Sequence, residues 1–176
     1  MDRRQRKTRA AIFTAFRSLL SRKRYEQITV QDILDEADVG RSTFYAHFET
    51  KDMLLEAMCN EIFDHIFEGS LCDYREHGDN LESKLSHILW HLYQQQADIL
   101  AVLSGESSAL FLSYFRQRLD AFFSLYLEDF SLDVPRDYLL HHLVGSFTET
   151  VRWSLKNGMK TSPEETARYF LQVMGK

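Results

Sequence analysis

Residues Thr29 to Lys51, reading TVQDILDEADVGRSTFYAHFETK, constrain the fold of this chain more than any other stretch. Thr29 and Asp32 form a variant of the capping box, in which a hydroxyl and a carboxylate satisfy free amides of a first helical turn. Val30, Ile33, Leu34 and Ala37 recur at helical spacing and define one buried face. The run Ala37-Asp38-Val39-Gly40 predicts a tight turn, with Gly40 at positive φ and Val39 plugging the angle between two helices. A second helix is expected from Arg41, with Phe44 and Phe48 on one face and Arg41, Ser42, Thr43, Tyr45 and His47 turned outward. A helix that buries two phenyl rings and presents a guanidinium, hydroxyls, a phenol and an imidazole is suited to a polar partner.

The rest of the chain supports an all-α protein. Its 176 residues include only two prolines, Pro135 and Pro163, and seven glycines, so little interrupts long helices. Hydrophobic residues at 44% and charged residues at 27% are ordinary for a globular chain and exclude a disordered or fibrous one. No apolar run reaches the roughly 20 residues of a membrane span, and the start MDRRQRK lacks a secretory apolar segment, so no membrane association and a cytoplasmic location are expected. Cys59 and Cys72 have no metal-ligand spacing and read as free thiols.

Charge is unevenly distributed. Residues 1–51 carry 11 Lys and Arg against 7 Asp and Glu, which leaves 10 against 19 for the remainder. The first 24 residues hold 9 basic side chains and 1 acidic one. That concentration suits a polyanion, and it also suits a solvated helix face; the adjoining helix-turn-helix pattern favours DNA.

In chain order, Ile12, Ala15, Phe16, Leu19 and Leu20 predict a helix over residues 3–22. Arg3, Arg4, Arg6, Lys7 and Arg9 lie at its start within reach of a phosphate backbone, and Arg22, Lys23 and Arg24 favour its end. Thr50 caps a helix expected to run from Lys51 to Phe67 and to stop at Gly69, before a polar loop over residues 70–80. Further helices are expected over residues 81–96, 98–105 and 107–130, followed by a turn to Pro135. Pro135 suits the first turn of the next helix, which ends at Asn157-Gly158. Ser162, Pro163 and Glu165 open the last helix as cap, first position and capping-box partner. The expectation is about nine helices: a three-helix helix-turn-helix domain over residues 1–50 and a helical regulatory and dimerisation domain over residues 51–176.

The order of these features resembles the TetR family of transcriptional regulators. The matching residues are Ile28 to Ile33, then Ala37 to Phe48 with its Thr43-Phe44-Tyr45-x-His47-Phe48 core, then Lys51 to Leu55. The Trp153…Gly158…Pro163-Glu164-Glu165 pattern is similar to the subgroup of dihydroxyacetone kinase regulator-like members. The resemblance implies a reading helix in the major groove, with Arg41, Ser42 and Thr43 near base edges and phosphates, and Tyr45 and His47 on phosphates. It also implies that Thr29 and Lys51 clamp the backbone on either side. Phe44 and Phe48 read as core, and Thr29 doubles as a cap. For Arg41 and Lys51 the sequence shows no structural role.

The same resemblance implies a homodimer on an inverted-repeat operator in double-stranded DNA, a repressor, and release by a small-molecule effector. A DNA-binding activator or co-activator responding through a protein partner is the alternative. The last two long helices are the expected dimer interface, with Tyr138, Phe147, Trp153, Leu155 and Phe170 as anchors. Phe63, Phe67, Trp90, Tyr93, Phe111, Tyr114, Phe115, Phe122 and Phe147 are candidates for an effector pocket, although for any one of them the same spacing favours an ordinary core. His87 and His91 are four apart, with Cys72 and His77 upstream, but no recognised ligand motif supports a metal. No cofactor is expected. The chain has no phosphate loop, nucleophile elbow, dinucleotide fingerprint or framed carboxylate pair, so an enzyme is not expected.

Overall fold

Arg3–Leu20 forms α1, which buries Ile12, Phe13, Ala15, Phe16, Leu19 and Leu20 along one stripe. The helix ends two residues before the expected Arg22, because the Arg22 amide bonds back to Leu19 O over a tighter turn. A computed structural model describes residues 3–72, 80–95, 99 and 108–176. Among these residues there are eight α-helices and no strand. Apart from Ile99, the expected helix over residues 98–105 lies outside the described residues, as does His77.

A short 3-10 turn, Tyr25–Gln27, leads to α2, Val30–Ala37, and then to α3, Arg41–Tyr45. The capping box at Thr29 is complete: Asp32 N donates to Thr29 Oγ1 at 3.1 Å, and Thr29 N donates to Asp32 Oδ2 at 2.8 Å. The turn differs from expectation. Gly40 sits at φ −71°, and the left-handed residue is Asp38 at φ 51°. Asp38 ends α2, a place where a short polar side chain tolerates this backbone, while Gly40 has the extended conformation of an N-cap.

The chain divides into two compact units, Met1–Glu61 with Ala97–Phe111 and Ile62–Gln96 with Leu112–Lys176. In the first, α1 packs on α2. Ile12, Phe16, Ile33 and Phe44 are fully buried between them and α3. Phe13 stacks on Phe48 at 5.8 Å, and Phe48 lies 6.0 Å from Phe44. Burial of each such ring is worth about 1.5–3 kcal/mol, enough to fix a helix as short as α3 on its platform.

Thr50 caps α4, Lys51–Cys72, by accepting from Met53 N at 3.1 Å. The helix passes through Gly69 instead of stopping there. A mid-helix glycine costs only about 1 kcal/mol relative to alanine, and it ends a helix only when the backbone turns left-handed. The division between the units falls within α4.

Asn80 caps α5, Leu81–Gln94, and α6 spans Ser108–Ser124. The expected single helix to Phe130 breaks after Ser124 into a 3-10 turn, Leu127–Asp129. Helix α7, Arg136–Lys156, begins just after Pro135, and α8 is Pro163–Val173. Gly158 adopts φ 68°, and Met159 N bonds to Ser154 O at 2.9 Å, closing the end of α7. Ser162 caps α8 by accepting from Glu165 N, while the Glu165 carboxylate accepts from Tyr169 Oη at 2.7 Å.

In the second unit α8 packs against α5 and α7. Phe123, Phe147 and Phe170 meet ring to ring at 5.1–5.8 Å. Tyr93 Oη joins all three helices by bonding Ser154 Oγ, the Thr161 carbonyl and Thr166 Oγ1, which satisfies hydroxyls that would otherwise be stranded in the core.

Candidate nucleic-acid interface

Arg41, Ser42 and Thr43 form the exposed first turn of α3, with Gly40 as N-cap. The Arg41 guanidinium reaches back to α2, where its Nη2 donates to Gln31 Oε1 at 3.0 Å. Tyr45 is 48% exposed, its ring set edge-on against buried Phe44 at 5.5 Å. His47 follows the helix, half-buried beside Phe48. The packing that fixes Phe44 therefore fixes the direction of its polar neighbours.

The start of α1 lies alongside this helix. Arg4, Gln5, Thr8 and Arg9 share a cleft of about 580 Å³ with Ser42, Thr43, Ala46 and His47. The sequence pointed to the arginines but not to Gln5 and Thr8. The signal was available, since residues 4, 5, 8 and 9 repeat at helical spacing and continue the face of buried Ile12, Phe13 and Phe16 towards the start of the helix. The Arg9 guanidinium lies over the Phe13 ring at 4.8 Å and the Phe48 ring at 5.6 Å, a cation held by the aromatic platform.

The two ends of α1 differ. Arg22 pairs with Glu36 at 2.7 Å, and Lys23 pairs with Asp32 at 3.0 Å. The Thr29 backbone amide, followed by Lys23, holds the Asp32 carboxyl down at about 2. Arg22, followed by Ser18, keeps Glu36 below the usual carboxylate range. Positive charge at this end is thus locally offset, whereas Arg3, Arg4, Arg6 and Lys7 stand exposed at the other.

Lys51 has the structural role that the sequence did not reveal. Its Nζ donates to Tyr25 O at 2.8 Å and Ile28 O at 2.9 Å, and it lies 4.1 Å from the centre of the Tyr25 ring. Burial pushes its pKa below the usual lysine range, opposed by Asp52 and Glu26. Asp52 accepts from Tyr25 Oη, so the first turn of α4 holds the 25–28 turn from two sides. These bonds place Lys51 beside Thr29.

Residues 8–58 match the bacterial regulatory proteins of the tetR family, and residues 79–176 match the transcriptional regulator C-terminal region TetR_C_8. The chain belongs to the TetR family of transcriptional regulators. It is 37% identical to a TetR transcriptional regulator from Streptococcus agalactiae 2603V, whose solved structure gives a TM-score of 0.81 with 98% of this chain and 96% of that one covered. It is 28% identical to the uncharacterized HTH-type transcriptional regulator YxbF of Bacillus subtilis, over 99% of this chain and 46% of that protein. The chain spans about half the length of the curated relatives it matches. The fold is also that of the transcriptional regulator FadR from Bacillus subtilis, solved in complex with stearoyl-CoA: TM-score 0.69, 17% identity, 94% of this chain and 96% of that one covered.

In the second unit of this TetR-family chain, the expected pocket residues occupy several environments. Phe63 meets Phe115 at 5.4 Å, and Phe67 contacts both Phe115 and Phe122. Phe147 belongs to the separate cluster with Phe123 and Phe170, Tyr93 to the buried hydroxyl network, and Trp90 is half-exposed against His91. Tyr114 is half-buried, and Phe111, which belongs to the first unit, is buried. His65, His87 and His91 have adjacent rings, but no set of three metal-ligating side chains among the described residues is arranged to hold an ion.

The expected interface residues divide as well. Phe147, Leu155 and Phe170 are buried in the chain's own interior, because they lie on the inward faces of α7 and α8. Tyr138 and Trp153 are exposed. Trp153, Tyr169, Val173 and Met174 line an apolar groove of about 450 Å³ across α7 and α8. Tyr169 and Val173 were not named from the sequence, although both stand on the face of α8 opposite buried Ala167 and Leu171. No helix among the described residues is long and apolar enough to cross a membrane.

Proposed function

We propose that the chain is a cytoplasmic homodimeric repressor that binds an inverted-repeat operator and leaves it when a small molecule binds the helical domain. Residues 1–50 are the reading domain, and residues 51–176 are the regulatory and dimerisation domain. The observation that carries this reading is the cleft between the cationic start of α1 and the exposed polar turn of α3, both on one aromatic platform. In this reading Arg41, Ser42 and Thr43 contact base edges, while Tyr45, His47 and the Thr29 cap contact phosphates. Lys51 then acts chiefly by holding the backbone next to Thr29 in place.

A single such unit offers too little surface for tight, specific binding, which supports a dimer with two reading helices on successive grooves. The groove containing Trp153 and Tyr169 supplies the apolar face for it. The crystallised complex of FadR with an acyl-CoA supports an apolar effector, and the ring packing around Phe63 and Phe115 is where such a molecule would insert.

Selection of operators from random DNA tests the reading, because it reports binding and dimer symmetry together. The expected result is an inverted repeat whose affinity falls steeply with salt as phosphate contacts release counterions. Recovery of no enriched sequence, or a flat salt response, would exclude it.

A further inference from the structure

Gln31 was not singled out as a site residue, yet it is the side chain that holds Arg41. Arg41 Nη2 donates to Gln31 Oε1 at 3.0 Å, and Gln31 Nε2 donates to Asp35 Oδ1 at 2.8 Å. A guanidinium only donates and a carboxylate only accepts, so the carboxamide between them has one orientation. The relay crosses from α2 to the first residue of α3, and all three side chains are at the surface. Their burial does not explain it.

Building on the DNA-binding reading above, we propose that Gln31 is a specificity-determining positioning residue: anchored by Asp35, it aims the Arg41 guanidinium at one base of each half-site. A free arginine at a helix start samples many rotamers and contacts whatever phosphate or base lies near. With one Nη2 proton taken by Gln31, Arg41 keeps a two-nitrogen edge whose spacing fits O6 and N7 of guanine. The base so read is guanine, at one position per half-site.

The test uses the full chain and its selected operator, with affinity measured for all four bases at every half-site position. The parent is expected to prefer guanine at one position by about tenfold or more, and Arg41→Ala to erase that preference. Gln31→Ala is expected to reduce the preference at this same position to a few-fold, with affinity for unrelated DNA and the salt slope unchanged. Asp35→Asn keeps an acceptor for Gln31 and should retain the parental preference. Three results would overturn the proposal: an unchanged preference in Gln31→Ala, a loss at a position other than the one Arg41→Ala erases, or no position that depends on Arg41. Failure of the parent to select any operator would instead remove the DNA-binding reading, so the two failures are distinguishable. A positional change without a general one is something a merely structural role for Gln31 does not produce.

Discussion

The outer face of α3 and the outer face of α7 and α8 expose aromatic side chains to the same degree, Tyr45 at 48% against Trp153 at 47% and Tyr169 at 43%. Exposure therefore does not separate them, and their neighbours do. Around Tyr45 stand Arg41, Ser42 and Thr43, with cationic α1 across the cleft. Around Trp153 stand Val173 and Met174, and the Tyr169 hydroxyl is already bonded to Glu165. One surface offers charge and hydrogen bonds to a polyanion, and the other offers a groove whose polar groups are partly satisfied from within. The first suits a phosphate backbone, the second an apolar protein face.

Both surfaces rest on buried aromatic supports, so removing one has the largest expected effect. Phe44→Ala should cost about 3–5 kcal/mol, seen as a large loss of melting temperature together with loss of DNA binding. Trp153→Ala with Tyr169→Ala should leave the helix content intact and weaken the dimer by at least about 2 kcal/mol, roughly thirtyfold in dissociation constant by sedimentation. A parental dimer constant in that variant would place the interface elsewhere and leave the groove without this role.

Tyr45 and Lys51 sharpen the reading side. Tyr45→Ala should weaken operator binding about tenfold in a gel-shift titration, with an unchanged melting temperature, as expected for a residue that acts only through its partner. Lys51→Ala should lower stability by about 1–3 kcal/mol, because the Tyr25 and Ile28 carbonyls lose a charged donor. Equal melting temperatures for Lys51→Ala and parent would return Lys51 to a purely phosphate-binding role.

These two residues also show what was legible in the sequence. The helix class, the Thr29 and Ser162 caps and the Gly158 stop were readable because their partners lie within a few positions. The role of Lys51 was hidden because its acceptors are 26 and 23 residues away. The pairing of Arg22 with Glu36 across 14 residues was hidden for the same reason, and with it the offset of charge at one end of α1. Gly40 and Gly69 misled because composition does not give the sign of φ: Asp38 took the left-handed position, and Gly69 stayed in its helix. In α7, Trp153 lies off the stripe of Leu143, Phe147, Val151 and Leu155, so helical spacing separates it from Phe147; what spacing does not give is which apolar face the chain covers with its own helices.

The smallest effect lies in the second unit, where pH separates it from the carboxylate-capped first. Burial, then the neighbouring His87 and His65, lower the His91 pKa from 6.5 to about 4. The unfolded chain therefore binds a proton that the folded chain resists, and stability should fall as pH drops from about 6.5 through about 4. The first unit behaves differently: Asp32 titrates near 2, so the stability it contributes is retained above the usual carboxylate range and lost only below it. His91→Gln removes the titrating imidazole while keeping a polar side chain. Its melting temperature should change less between pH 7 and pH 5 than that of the parent. Equal pH dependence in the two proteins would mean that His91 ionises as an ordinary surface histidine, and that the contrast between the units does not extend to their titration.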